Sequence, residues 1–159
     1  LGGKGANQAV ALSRLGATVS FVGNVGEDGF GKELISSLSR EGIDLSMLGS
    51  VNEKTGTALI NVFDNSENQI IYIPGANKFT SHIQVTSESL ETAKIVVSQM
   101  EVNAEEIEQL FFNSKDKNCL NILKTKVING IGVKHNILQL KPMYLLLKFL
   151  LFIFSKPKR

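Results

Sequence analysis

Glycine stands at each change of rhythm along the first 42 residues, and this punctuation constrains the fold more than any other feature of the chain. Across residues 6–15 the small residues Ala6, Ala9, Val10 and Ser13 recur at helical spacing, and Gly16 stands where a left-handed helix stop belongs. In "TVSFVG", Val19 and Phe21 alternate with Thr18 and Ser20, which predicts a strand running into a tight loop at Gly23 and Gly26. "EDGFGKELISSLSREG" then supplies Asp28 as an N-cap, Phe30, Leu34, Ile35 and Leu38 as an apolar stripe, and Gly42 as the stop. Helix, strand, helix with glycine at every junction predicts a layered α/β fold with a largely parallel sheet.

The next segment breaks that alternation. "TGTALINVF" and "QIIYI", joined by the polar "DNSEN", predict a β-hairpin that Pro74 and Gly75 terminate. The α/β pattern then resumes with a short helix over 87–93, a buried strand over 94–99 and a helix in "AEEIEQLFFNSKDK" with Ile107, Leu110 and Phe111 on one side. Glu101 falls at the C-terminal end of that strand, where open α/β sheets place their ligands.

Charge divides the chain in two. Residues 1–116 carry eight Lys and Arg against fifteen Asp and Glu, whereas residues 117–159 carry nine basic residues and no acidic one. Periodicity fades in the second part, and "MYLLLKFLLFIF", interrupted by Lys148, is shorter than the roughly 20 residues that span a bilayer. It reads as an apolar tail, with no membrane span. Nine charges spread over that length are not a compact basic patch, so nucleic-acid binding is not expected. Cys119 is the only cysteine, which excludes a disulfide framework and points to a reducing, cytoplasmic setting. The opening at Leu1 has no basic leader and reads as an N-terminus cut short.

"LGGKGANQAV" brings three glycines around Lys4 just ahead of a helix, an arrangement that lets backbone approach a ligand while free N–H groups face it. The stretch is not a Walker A loop, because Gly5 follows Lys4, and Gln8 breaks a G-x-G-x-x-G register. Neither of these nucleotide-binding fingerprints is present. Taken alone, Lys4 and Asn7 also fit a solvated lysine beside a helix start, and Glu101 a surface carboxylate. His82 and His135 have no metal-ligand partners nearby in sequence and read as structural; no metal site is expected.

"GGKGANQAVALSRLGATVSFVGNVGEDGFG" closely resembles the first signature of the ribokinase, or PfkB, family of carbohydrate kinases, with the double glycine, Gly5, Asn7, Ala9, Gly16 and Gly26 at the family's spacing. The resemblance runs on through "TGTALI", "ENQIIYIPGAN" and "SQME" and covers about residues 1–113. It implies a ribokinase-like three-layer α/β fold with a largely parallel central sheet and a β-hairpin lid, truncated at both ends. A partial domain would occupy 1–116 and a divergent tail 117–159. It also implies that Gly3, Lys4 and Asn7 contact sugar hydroxyls and that Glu101 accepts from another on the opposite side. Ala58, Ile60, Ile70 and Tyr72 become candidates for an apolar lid wall, alongside the plainer reading as hairpin core. The activity implied is ATP-dependent phosphorylation of ribose, or of another sugar, with Mg²⁺ and a monovalent cation, in a subunit that pairs through its hairpin. Two departures matter: the chain has no GAGD-type motif for a catalytic aspartate, and no NPAP-like strand follows the helix after Glu101. The family's first strand, with its sugar-binding aspartate, would precede Leu1. The expectation is therefore a sugar-binding part that is inactive unaided, or a noncatalytic partner of a full-length subunit.

Overall fold

The structure, a computed structural model, describes residues 2–65, 67–124 and 152–155. His135 and most of "MYLLLKFLLFIF" lie outside the described residues. Helix α1 (Lys4–Arg14) buries Gly5, Ala6, Gln8 and Ala9 and ends at Gly16, whose φ of 87° only glycine adopts without strain. Strand β1 (Thr18–Phe21) follows, with Val19 and Phe21 buried as their alternation predicts.

Beyond it the structure departs from the expected loop. Gly23–Gly26 is strand β2, buried throughout and paired in parallel with β3 (Leu48–Val51). Gly26 serves close approach rather than a turn: a Cβ there would lie 2.2 Å from the Glu53 carbonyl oxygen.

Helix α2 (Gly29–Arg40) is capped by Asp28, whose side chain accepts from the Gly31 amide at 2.9 Å. Its buried stripe is narrower than the sequence suggests. Gly31 and Leu38 are buried and Leu34 packs beside them, whereas Phe30 and Ile35 flank that line and remain exposed.

Strands β4 (Thr57–Val62) and β5 (Asn68–Ile73) form a separate antiparallel ribbon, the predicted hairpin. With no second layer over it among the described residues, Ala58, Ile60, Ile70 and Tyr72 are all exposed, so the hairpin-core reading does not hold there. Short 3₁₀ turns at Gly75–Phe79 and His82–Gln84 lead to α3 (Ser87–Thr92), β6 (Ile95–Gln99), α4 (Ala104–Lys115) and β7 (Leu120–Lys124). A strand therefore does follow α4, without the expected motif. Strand β8 (Phe152–Ser155) completes a four-stranded sheet of order β1-β8-β6-β7. Strands β6 and β7 are parallel, and β8 runs antiparallel to both its neighbours.

Hydrophobic residues gather on both faces of β6. Val97 packs against the cluster of Ala6, Ala9, Val19, Phe21, Leu38 and Ile43, and Val96 belongs to the cluster of Val22, Met47, Leu90, Ala93 and Leu110. Neighbouring strand residues point to opposite faces, so β6 is the middle layer of a three-layer α/β arrangement.

Candidate functional site

Gly3 is the N-cap of α1, with φ 108° and no side chain to cap the helix. No side chain among the described residues caps the first-turn amides of α1, while the Asn7 amide already donates to the Gly3 carbonyl at 3.0 Å. One residue on, the Lys4 Nζ pairs with Glu101 Oε1, and the two side chains remain 44% and 28% exposed. Glu101 reaches this position because β6 ends at Gln99, two residues earlier. The helix start and the strand end therefore meet at this pair. Asn7 lies one turn along the helix from Lys4; it is exposed, and its side chain makes no hydrogen bond to another described residue.

The hairpin joins this junction through Tyr72. Its hydroxyl donates to the Glu101 backbone carbonyl at 3.3 Å and accepts from Asn77 Nδ2 at 3.2 Å. Tyr72 is the cross-strand partner of Ala58, and Ile60 is the partner of Ile70. Directly paired residues two apart along each strand share a face, so all four lie on the face whose tyrosine touches Glu101. Lys4, Glu101 and Tyr72 are brought together; Ala58, Ile60 and Ile70 extend outward from them along the ribbon.

The hairpin base is held by residues the sequence reading missed. Asp28 accepts from the Thr55 hydroxyl at 2.6 Å and from the Thr55 amide at 2.9 Å, while Thr55 Oγ1 accepts from the Gly26 amide at 3.0 Å. The Thr55 hydroxyl, followed by the Thr55 and Gly31 amides, lowers the Asp28 pKa to about 2. Asn77 lies against Gly56, where a Cβ would come within 2.3 Å of Nδ2. Only the Asp28 cap had a local signature; its partner lies 27 residues away.

His82 belongs to another cluster. Glu106 Oε2 accepts from the Ser81 hydroxyl at 2.7 Å and the His82 amide at 2.8 Å, and lies 2.7 Å from His82 Nδ1. Chiefly the Ser81 hydroxyl holds the Glu106 carboxyl below its ordinary range. Among the described residues no group of three or more His, Cys, Asp or Glu is placed to hold a metal ion.

The chain is 44% identical over 94 residues to a ribokinase from Haemophilus influenzae, covering 58% of this chain and 31% of that protein. It is 40% identical over 109 residues to a deoxyribokinase from Salmonella typhi, covering 67% and 36%. The solved structure of Arabidopsis thaliana ribokinase complexed with ribose and ATP superposes with a TM-score of 0.69 at 33% identity, over 82% of this chain and 43% of that one. The chain thus spans about a third of the length of these curated relatives. The sequence pattern described as pfkB family carbohydrate kinase matches residues 1–148, and the chain belongs to that family.

Proposed function

We propose that this chain carries the pentose-binding part of a ribokinase-type sugar kinase, with Gly3, Lys4, Asn7 and Glu101 as its substrate-binding residues. The observation that carries the reading is the Lys4–Glu101 pair, held at the junction of α1 and β6 with Tyr72 of the hairpin against it. A pentose presents hydroxyls that both donate and accept. Lys4 and the open first-turn amides of α1 donate to them, Glu101 accepts, and Asn7 does both. Ala58, Ile60, Ile70 and Tyr72 form the apolar wall that closes over the ring. Ribose is favoured because similar proteins are ribokinases and the Arabidopsis structure holds ribose and ATP. Deoxyribose is the nearest competitor, given the similarity to a deoxyribokinase.

In the complete kinase, ATP with Mg²⁺ and a monovalent cation supplies and steadies the transferred phosphoryl group. The described residues do not fit such a site by themselves: they hold no metal-ligating cluster, and no Asp or Glu follows Asp116 in the sequence. This chain's own contribution is to bind and orient the sugar. Its one cysteine suits a reducing, cytoplasmic setting, and no helix among the described residues is long and apolar enough to cross a membrane.

A second reading rests on the exposed apolar ribbon. Leu59, Ile60, Val62, Ile70, Ile71 and Ile73 are all solvent-exposed, a surface suited to pairing with another subunit, identical or full-length. Titration calorimetry with ribose and 2-deoxyribose tests the first reading; absence of heat with either sugar counts against it. A pulldown against a full-length ribokinase tests the second, and no association at micromolar concentration removes it.

A further inference from the structure

Two buried polar atoms have no hydrogen-bond partner among the described residues: Gln8 Oε1 and Gln99 Nε2. Gln8 is 7% exposed and Gln99 2%. Gln8 lies four residues into α1 from Lys4, on the same face and about 6 Å along the axis. Gln99 is the last residue of β6, two before Glu101, and the chain turns between them. The Lys4–Glu101 pair ties the start of the helix to the end of the strand, so both glutamines follow inward from that junction, one along each element. Gln99 alternates with Val97, which packs against the α1 cluster, so its side chain enters the layer that Gln8 faces.

An orphan acceptor and an orphan donor facing one layer, with no hydrogen bond between them, are both satisfied by a single group that donates to the first and accepts from the second. A hydroxyl does both; a carbonyl, an ammonium or an apolar group does not. We infer that Gln8 and Gln99 form a second polar tier beneath the Lys4–Glu101 pair, and that this tier binds one hydroxyl group. The group is either a buried water or a hydroxyl of the sugar. The inference deepens the pentose-site reading and rests on it only for the second source.

Thermal melts of the full chain without ligand decide whether the tier is occupied. Gln8→Leu and Gln99→Met each leave the bound hydroxyl with a missing partner, lowering the midpoint by roughly a few degrees. The double variant removes the tier whole, so its loss is smaller than the two single losses together. Single variants with unchanged or raised midpoints, or fully additive losses, overturn the inference. If a variant fails to fold, the parent chain still answers. The Gln99 side-chain amide protons should show a nuclear Overhauser cross-peak to water or to a ribose proton, and absence of both overturns the tier.

Ribose separates the sources. A sugar hydroxyl replaces the water cross-peak, and the variants lose the midpoint shift that ribose gives the parent. A resident water keeps its cross-peak and leaves that shift intact. If ribose shifts no midpoint at all, the pentose reading fails while the ligand-free melts still judge the tier.

Discussion

Lys4 and Glu101 both keep substantial contact with solvent, so their ion pair adds at most about 1 kcal/mol to folding. On the proposed reading their value lies in what they offer a ligand. Lys4→Ala and Glu101→Ala are expected to leave the melting temperature nearly unchanged and to weaken ribose binding about tenfold or more, as read by calorimetry. Asn7→Ala, losing a neutral partner, should cost roughly two- to tenfold, and His82→Ala should cost nothing. Asp28 gives a different signature. Its carboxyl is held at about 2 against an ordinary 3.8 by hydrogen bonds that only the folded state supplies. The stability it contributes is therefore present above roughly pH 4 and is lost as pH falls through about 2. Asp28→Asn should flatten that acid limb in urea titrations run from pH 5 to pH 2; an unaltered limb assigns the pH dependence elsewhere. At this scale the sequence discloses what is local. Asp28 announces its cap through spacing, and Gly3, Lys4 and Asn7 through their motif. The Thr55, Tyr72 and Asn77 contacts leave no periodic trace, because each joins residues set by tertiary packing.

The helices and the ribbon differ in how they are held. Helix α2 docks along the line of Gly31, Leu34 and Leu38, so Leu38→Ala should cost about 2–5 kcal/mol in chemical denaturation and Phe30→Ala less than about 0.5. Equal losses would mean that the stripe read from the sequence, with Phe30 inside it, describes the packing better. The hairpin has no core of its own, and the Tyr72 hydroxyl ties it to Glu101 and Asn77. Tyr72→Phe should leave the Ala58 pairing intact and raise hydrogen exchange of the β4 and β5 amides several-fold; unchanged exchange would show that the Asp28–Thr55 clamp suffices. Element types were legible because periods of 3.6 and 2 are written in local sequence. Gly23–Gly26 was not: glycines that signal a turn in isolation here let two backbones press together, which only the fold reveals. Strand β7 was equally silent, since residues 117–124 mix Lys, Asn and Leu without alternation.

For the molecule as a whole, the proposed reading predicts that binding and turnover separate. On the proposed reading the purified chain is expected to bind ribose yet form no ribose 5-phosphate from ATP, because no Asp or Glu follows Asp116 in the sequence and the described residues hold no metal-ligating cluster to assist transfer. Sustained product formation after removal of trace host kinase would contradict this. The layered architecture was legible from glycine punctuation and the family motifs. The closure of the sheet was not, because no local pattern in the C-terminal part foretells that Phe152–Ser155 enters between β1 and β6. That placement carries a consequence for how the protein is made. Thr18 must find Ser155, and Ile95 must find Phe154. Helices α1 and α2 and the hairpin consist of near neighbours and mature early. The edges of β1 and β6 stay open until a strand synthesised long after both emerges from the ribosome, at about 5–20 residues per second. During those seconds the nascent chain displays two unpaired edges beside an apolar ribbon, and this is the interval in which chaperone capture competes with aggregation.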